Sequence, residues 1–340
     1  MALSLALLLA STLISLLILE FGVRWLLPQY SATGDVEYTV VDGVPLAEPN
    51  TETIQWKNTG DYRVKVSINR WGLRDVKDLS QSTAADLFVV GDSFAFGHGV
   101  EEAERFSNRL EGLLGQRVFN VAIPTDIAGY ETLIGYAERN GASVQKVILA
   151  VCMENDIGQY RDRITPVTRL RERRNFAEGL RRTKLWLQRN SSAYRALGHQ
   201  AHASEALQSL FVRLGFITPT ADGALRNVYS TAAIEQSAER VAAIASKHQV
   251  ITVIIPSRLR WVGNNIEQER KLHAGFVERL RTLGLPVIDL APAFEKGGHP
   301  MDYHFANDGH WTAAGHALAA AEIADYVKTQ GWPATTLAKP

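Results

Sequence analysis

The stretch Ala85-Asp86-Leu87-Phe88-Val89-Val90-Gly91-Asp92-Ser93-Phe94-Ala95-Phe96-Gly97-His98-Gly99 decides how this chain folds. Leu87 to Val90 form a short continuous apolar run ended by Gly91, the pattern of a strand buried on both faces of a parallel sheet. Ser93 then falls just past the strand's carboxyl end, where open α/β sheets hold their ligands, so its hydroxyl stands where chemistry is done. Gly91 and Gly97 suit a sharp turn and a close backbone approach. Ser after Gly-Asp is also ordinary turn chemistry, so the serine needs partners before it counts as a nucleophile.

Outward from this point the pattern alternates. Helix signals run near Ala103 to Leu114 and Gly129 to Arg139, with strands at Arg117 to Ala122 and Val144 to Cys152. Such βαβαβ order implies a parallel sheet with right-handed crossovers. It resumes with a helix at Ala232 to Lys247, a strand at Val250 to Ile255, a helix at Ile266 to Leu283, a strand at Val287 to Leu290 and a last helix at Ala313 to Lys328. Between them lies an insertion, about residues 161–215, crowded with Arg169, Arg171, Arg173, Arg174, Arg181 and Arg182 among Leu180, Leu185, Trp186 and Leu187. A basic amphipathic stretch of this kind suits anionic headgroups, an acidic glycan, a cap over the site, or a merely solvated face.

Composition narrows the classes. The 340 residues are 46% apolar, enough for a sizeable core. The 36 basic and 36 acidic residues cancel, so no global field draws the chain to nucleic acid. Cys152, the single cysteine, excludes an internal disulfide and reads as core. A phosphate-cradling Gly-rich loop, a dinucleotide fingerprint and a paired-cysteine metal site are all missing from the sequence, so neither cofactor nor metal is expected. Nothing in the sequence assigns an oligomeric state.

At the other end, Ala2 to Leu19 is apolar apart from Ser4, Ser11, Thr12 and Ser15, with Arg24 and Trp25 following at interface depth. We read residues 1–27 as a single-pass membrane anchor in preference to a cleaved signal peptide, because no basic residue precedes the run. Residues 28–82 form an N-terminal β-rich extension in which Tyr38 to Pro45 and Arg63 to Ile68 alternate as half-buried strands do, and Asn69 to Asp75 close it as a turn. It packs on the main domain in one reading and is a spacer in the other. Residues 83–332 carry the main domain and 333–340 a tail.

A serine hydroxyl needs a base, and an imidazole oriented by a carboxylate is the usual one. Asp308-Gly309-His310, ahead of the last helix, offers both. His98 lacks an adjacent carboxylate, His304 lies on the approach to that loop and His316 belongs to the helix. Donors for an oxyanion are the third need. Asn155 follows the strand ending at Cys152 and so emerges at the same sheet edge, although Asn-Asp is also a common helix start.

Gly91-Asp92-Ser93-Phe94, Asn155-Asp156 and Asp308-Gly309-His310, in this order, resemble the SGNH or GDSL hydrolase superfamily. The resemblance spans about Asp86 to Val327 and implies a flavodoxin-like three-layer α/β/α fold. It implies Ser93 as nucleophile, His310 as base, Asp308 as the acid that orients it, and an oxyanion hole built from Asn155 and the Ser93 amide. Two positions depart from the pattern. The glycine expected after the second strand is Thr125, with Gly129 as a shifted alternative, and the glycine expected before Asn155 is Met153. The Asp-x-His-Trp tail is similar to the branch that moves acetyl groups on exopolysaccharides such as alginate. Ile68 to Asp75 also looks like a segment found upstream in bacterial membrane-linked members. The Gly-x-Ser-x-Gly elbow of α/β-hydrolases fits less well, because here the serine ends the first core strand and acid and histidine share one loop.

The expectation is therefore a membrane-anchored serine esterase that removes acyl groups, acetyl first among them, from an acylated small molecule or envelope glycan on the extracytoplasmic side. O-acetyl transfer to a cell-surface polysaccharide is the alternative within catalysis, and a non-catalytic glycan-binding membrane protein the alternative outside it.

Overall fold

The computed structural model describes residues 2–30, 36–57, 60–158, 190–203, 231–263 and 265–333, together with residues 183, 186 and 187. Most of the arginine-rich insertion expected at about 161–215 lies outside the described residues, as does nearly all of the 333–340 tail. Described strands are β1 (Tyr38–Val41), β2 (Val44–Ala47), β3 (Glu52–Trp56), β4 (Arg63–Ser67), β5 (Leu87–Gly91), β6 (Val118–Asn120), β7 (Lys146–Cys152), β8 (Gln249–Ile255) and β9 (Val287–Asp289). Described helices are α1 (Ala2–Leu26), α2 (Ser93–Phe96), α3 (Phe106–Leu114), α4 (Ile127–Arg139), α5 (Ser192–Ala203), α6 (Thr231–Ala245), α7 (Ile266–Thr282), α8 (Ala291–Glu295) and α9 (Ala313–Gln330).

Strands β5 to β9 form one parallel sheet in the order β6-β5-β7-β8-β9. The order reverses at β5, so the first crossover, through α3, runs on the opposite face from the later ones. Contacts agree: α3 packs against α9, while α6 packs against both α4 and α7. The result is the α/β/α arrangement expected from the sequence, and its ligand crevice is the switch point between β5 and β7. Every residue of β5 is buried, and so is β7 from Val147 onward. A Val, Leu or Ile side chain in such a place contributes about 1.5–3 kcal/mol by leaving water. The strands are apolar without alternation because helices cover both faces.

The extension folds as two hairpins, β1–β2 and β3–β4. Here the structure corrects one reading: Tyr38 to Pro45 is not one strand. Asp42 and Gly43, both at positive φ (51° and 82°), make a two-residue turn that pairs Val41 with Val44. Asp-Gly is the favoured sequence for that turn, and it overrides the alternation around it.

The turn after β4 is a rivet. Asn69 accepts the amides of Trp71 and Leu73, and its own amide donates to Asp75 O. That presents Arg74, fully buried, whose guanidinium donates to Gly97 O at 2.6 Å and Val100 O at 2.8 Å. Arg105 in turn donates to Arg74 O at 2.6 Å. The backbone just after Ser93 is thereby bonded to the extension.

Helix α1 is apolar apart from Ser4, Ser11, Thr12, Ser15 and the Glu20–Arg24 pair, and Ala6–Leu26 is long and apolar enough to cross a membrane. At its carboxyl end, Glu20 caps α5, accepting from the amides of Ser192 at 2.8 Å and Ala193 at 3.1 Å, while Arg195 donates to Tyr30 O.

Candidate active site

Ser93 is the first residue of α2, directly past β5. Asp92 caps that short helix by accepting the Phe94 amide at 2.9 Å, and Gly97 ends it at φ 82°, a left-handed turn that glycine adopts without strain. Gly91 itself stays within the strand. A turn this tight leaves the serine side chain facing the crevice.

His310 arrives on the loop before α9. The bridge pairing His304 with Trp311 closes the loop, and Phe305 N donates to His310 O at 2.8 Å. At its tip Gly309 has φ 92°. A Cβ built there would lie 1.8 Å from Nη1 of Arg258, so only glycine lets the guanidinium lie against the loop. Arg258 follows β8 and is itself held by Glu154, with Nε to Oε1 at 2.9 Å and Nη2 to Oε2 at 3.0 Å. Trp311 anchors the other side: it is fully buried, with Phe94 edge-on at 5.0 Å and Phe294 tilted at 5.1 Å.

Across 217 residues of sequence, His310 Nε2 and Ser93 Oγ lie 2.8 Å apart. Nδ1 of the same ring bonds Oδ1 of Asp308. Burial works against charge on Asp308, but the His310 bond, and after it Lys57, hold the carboxyl well below the usual carboxylate range. It is thus ionised at any ordinary pH. A hydroxyl, an imidazole and a carboxylate stand in line, the arrangement that lets the ring accept the serine proton and stabilises the resulting imidazolium.

The other expected residues fall as follows. Asn155 follows β7, is exposed, and donates from Nδ2 to Asp92 Oδ2 at 3.1 Å, which ties it to the strand end that carries Ser93. The Gly129 amide already donates to Asp126, the cap of α4. Thr125 lies one residue before that cap, in the loop leaving β6, and its side chain packs on Gly129. Among the described residues the Thr125 amide makes no backbone hydrogen bond.

The three histidines that rank below His310 in the sequence have partners of their own. His304 bonds Pro300 O through Nδ1, and His316 Nδ1 accepts the Phe106 amide at the start of α3. His98 is different: its ring stacks on His310, with centroids 4.3 Å apart. It lies in the same run as Ser93, but its partners come from elsewhere in the chain, so no local spacing reveals it. Donor atoms of His98, Asp308 and His310 lie within 4.8 Å of one another. Hydrogen bonds join each of these three side chains to its neighbours.

The buried rings carry a pH prediction. Burial pushes His316 down to about 3, as it does His98, with nearby cations adding to the effect. These folded values lie below the unfolded one, so the unfolded chain binds protons that the folded chain refuses. Stability therefore falls as pH drops from about 6.5, by roughly 1.4 kcal/mol per pH unit for a fully buried ring such as His316. Urea midpoints at pH 7 and pH 5 check this, and His316→Asn flattens the difference.

Fold and site together resemble those of the SGNH hydrolases, and the comparisons with known proteins point the same way. Residues 210–339 match the family described as the SGNH hydrolase-like domain of the acetyltransferase AlgX. Similar solved structures include a member of the lipolytic G-D-S-L family from Veillonella parvula, 11% identical, covering 72% of this chain and 98% of its own, at TM-score 0.44. A lipase/acylhydrolase from Enterococcus faecalis is 14% identical, with 72% and 96% covered and TM-score 0.42. A catalytic mutant of an acetylxylan esterase from Geobacillus stearothermophilus is 11% identical, with 73% and 96% covered and TM-score 0.40. No curated protein matches the chain.

Proposed function

We propose that this protein is a serine acyl-ester hydrolase acting on O-acyl groups, acetyl above all, of a hydroxyl-rich substrate such as an envelope glycan. The observation that carries the reading is the 2.8 Å contact between Ser93 Oγ and His310 Nε2, with Asp308 on the ring's far nitrogen. Ser93 attacks the ester carbonyl as its proton passes to His310. The tetrahedral oxyanion takes the Ser93 amide, the Thr125 amide and the Asn155 side chain. An amide nitrogen carries two hydrogens, so the anchor on Asp92 leaves Asn155 one to give. His310 then protonates the departing alkoxide, leaving an acyl-enzyme on Ser93. Water, losing a proton to the same ring, releases the acid and restores the serine.

The family match to an acetyltransferase domain favours a second reading, in which a sugar hydroxyl takes the place of that water. Both share the acyl-enzyme and differ only in what resolves it. In this proposal α1 anchors the chain to a membrane, with the catalytic domain on the extracytoplasmic side.

The test is a chromogenic acetyl ester with and without acceptor oligosaccharide. Hydrolysis that the acceptor leaves unchanged supports the esterase. Acceptor acetylation at the expense of hydrolysis establishes the transferase. Loss of neither activity in Ser93→Ala overturns both.

A further inference from the structure

We propose that the hairpin β3–β4 completes the catalytic apparatus: Lys57 and Tyr62 hold the Asp308 oxygen that His310 leaves over, and Gln55, acting through His98, sets the direction of the Tyr62 proton. The inference rests on the acyl-enzyme reading above and adds positioning residues to it.

The Asp308 side chain is 5% exposed, so its second oxygen needs protein donors. Lys57 Nζ lies 2.7 Å from Oδ2, and the Tyr62 hydroxyl donates to the same oxygen at 3.2 Å. Both donors sit on one rung, since Lys57 N donates to Tyr62 O at 3.1 Å and closes the hairpin. The tip adds a further tie, with Asp61 Oδ1 accepting both the backbone and side-chain N–H of Asn307 at 3.3 Å.

Direction follows from donor and acceptor chemistry. Gln55 is buried, and its Oε1 accepts the Gly99 amide at 2.9 Å, so its nitrogen faces His98. That Nε2 lies 3.1 Å from His98 Nδ1 and can only donate, which makes Nδ1 an acceptor. In a neutral ring the proton then sits on Nε2 and goes to the Tyr62 oxygen at 2.8 Å. Tyr62 has one proton left, and it points at Asp308. The chain of donors runs from Gly99 through Gln55, His98 and Tyr62 to the carboxylate that orients the base, without a clash of polarity anywhere along it. A neutral His98 also covers the His310 ring without adding a charge when that ring becomes imidazolium. Lys57 adds a charge where His98 adds none: its cation offsets part of the Asp308 charge.

The experiment uses the full chain, a chromogenic acetyl ester and a fluorophosphonate label. For Lys57→Met we expect kcat to fall about tenfold with KM within about twofold, as expected when a reacting group loses its aim. We also expect the acid limb of the kcat/KM profile to move by about half a pH unit, because the Asp308 charge is then no longer offset by the Lys57 cation. Lys57→Arg restores most of both, which a merely structural role for the side chain does not require. Tyr62→Phe, nearly isosteric, lowers kcat about fivefold and carries the test if Lys57→Met does not fold. Wild-type kcat and pH profile in both Lys57→Met and Tyr62→Phe overturn this inference alone, provided the unmodified protein takes the label. A wild-type protein that takes no label at Ser93 overturns the reading beneath it.

Discussion

Ser93→Ala lowers acyl-ester turnover by about a thousandfold or more, and His310→Ala by a similar factor. The two side chains act as a unit, because the hydroxyl is a weak nucleophile unless the ring 2.8 Å away takes its proton. The double variant is therefore no slower than either single one. Residual activity reflects only binding and whatever oxyanion donors survive. Steady-state rates on the chromogenic ester and fluorophosphonate labelling measure the same event by different routes. A Ser93→Ala protein that keeps a tenth of the wild-type rate removes this site from the chemistry.

Trp311→Ala is the second large effect, and it acts on stability. The indole is fully buried between Phe94 and Phe294, with His316 edge-on at 5.6 Å. Among the described residues its Nε1 has no hydrogen-bond partner, so truncation forfeits packing and opens a cavity without orphaning a polar group. Large-to-small changes of this type cost about 3–5 kcal/mol. Thermal unfolding should fall by about 10 °C or more. Because His310 is the neighbouring residue and Phe94 touches both rings, turnover falls with stability even below the new melting point. Trp311→Phe keeps most of the ring contact and recovers most of the loss. An alanine variant that melts within 2 °C of wild type, by about the resolution of a melting curve, contradicts the anchoring role.

The sequence is most legible where the signal is local. The apolar runs of β5, β7 and β8 and the periodic helices between them foretell the sheet, since burial on both faces leaves an unbroken apolar stretch. Helix α8 escapes because five residues are too few to show a period. Tyr38 to Pro45 misleads because its alternation runs on across the Asp-Gly turn inside it. At the site, Ser93, Asp308 and His310 stand out through short motifs. Lys57, Tyr62 and Gln55 do not, because a lysine or tyrosine in a hairpin is commonplace until its partner is known. That partner lies 251 residues away for Lys57 and 246 for Tyr62. Only coordinates join them, and they also turn the extension from a candidate spacer into a surface that touches Asp308.

Those separations bear on how activity is acquired. The serine comes from the first third of the chain, the imidazole from its last tenth, and the props beneath that ring from before either, so the site closes only when distant segments have been threaded together. Contacts of this reach form late and slowly in folding. Under the proposed function, turnover is consequently a property of the finished molecule: a nascent or nicked chain lacking its final stretch holds a complete serine turn and has nothing to ionise it, and it stays chemically inert until its last helix docks.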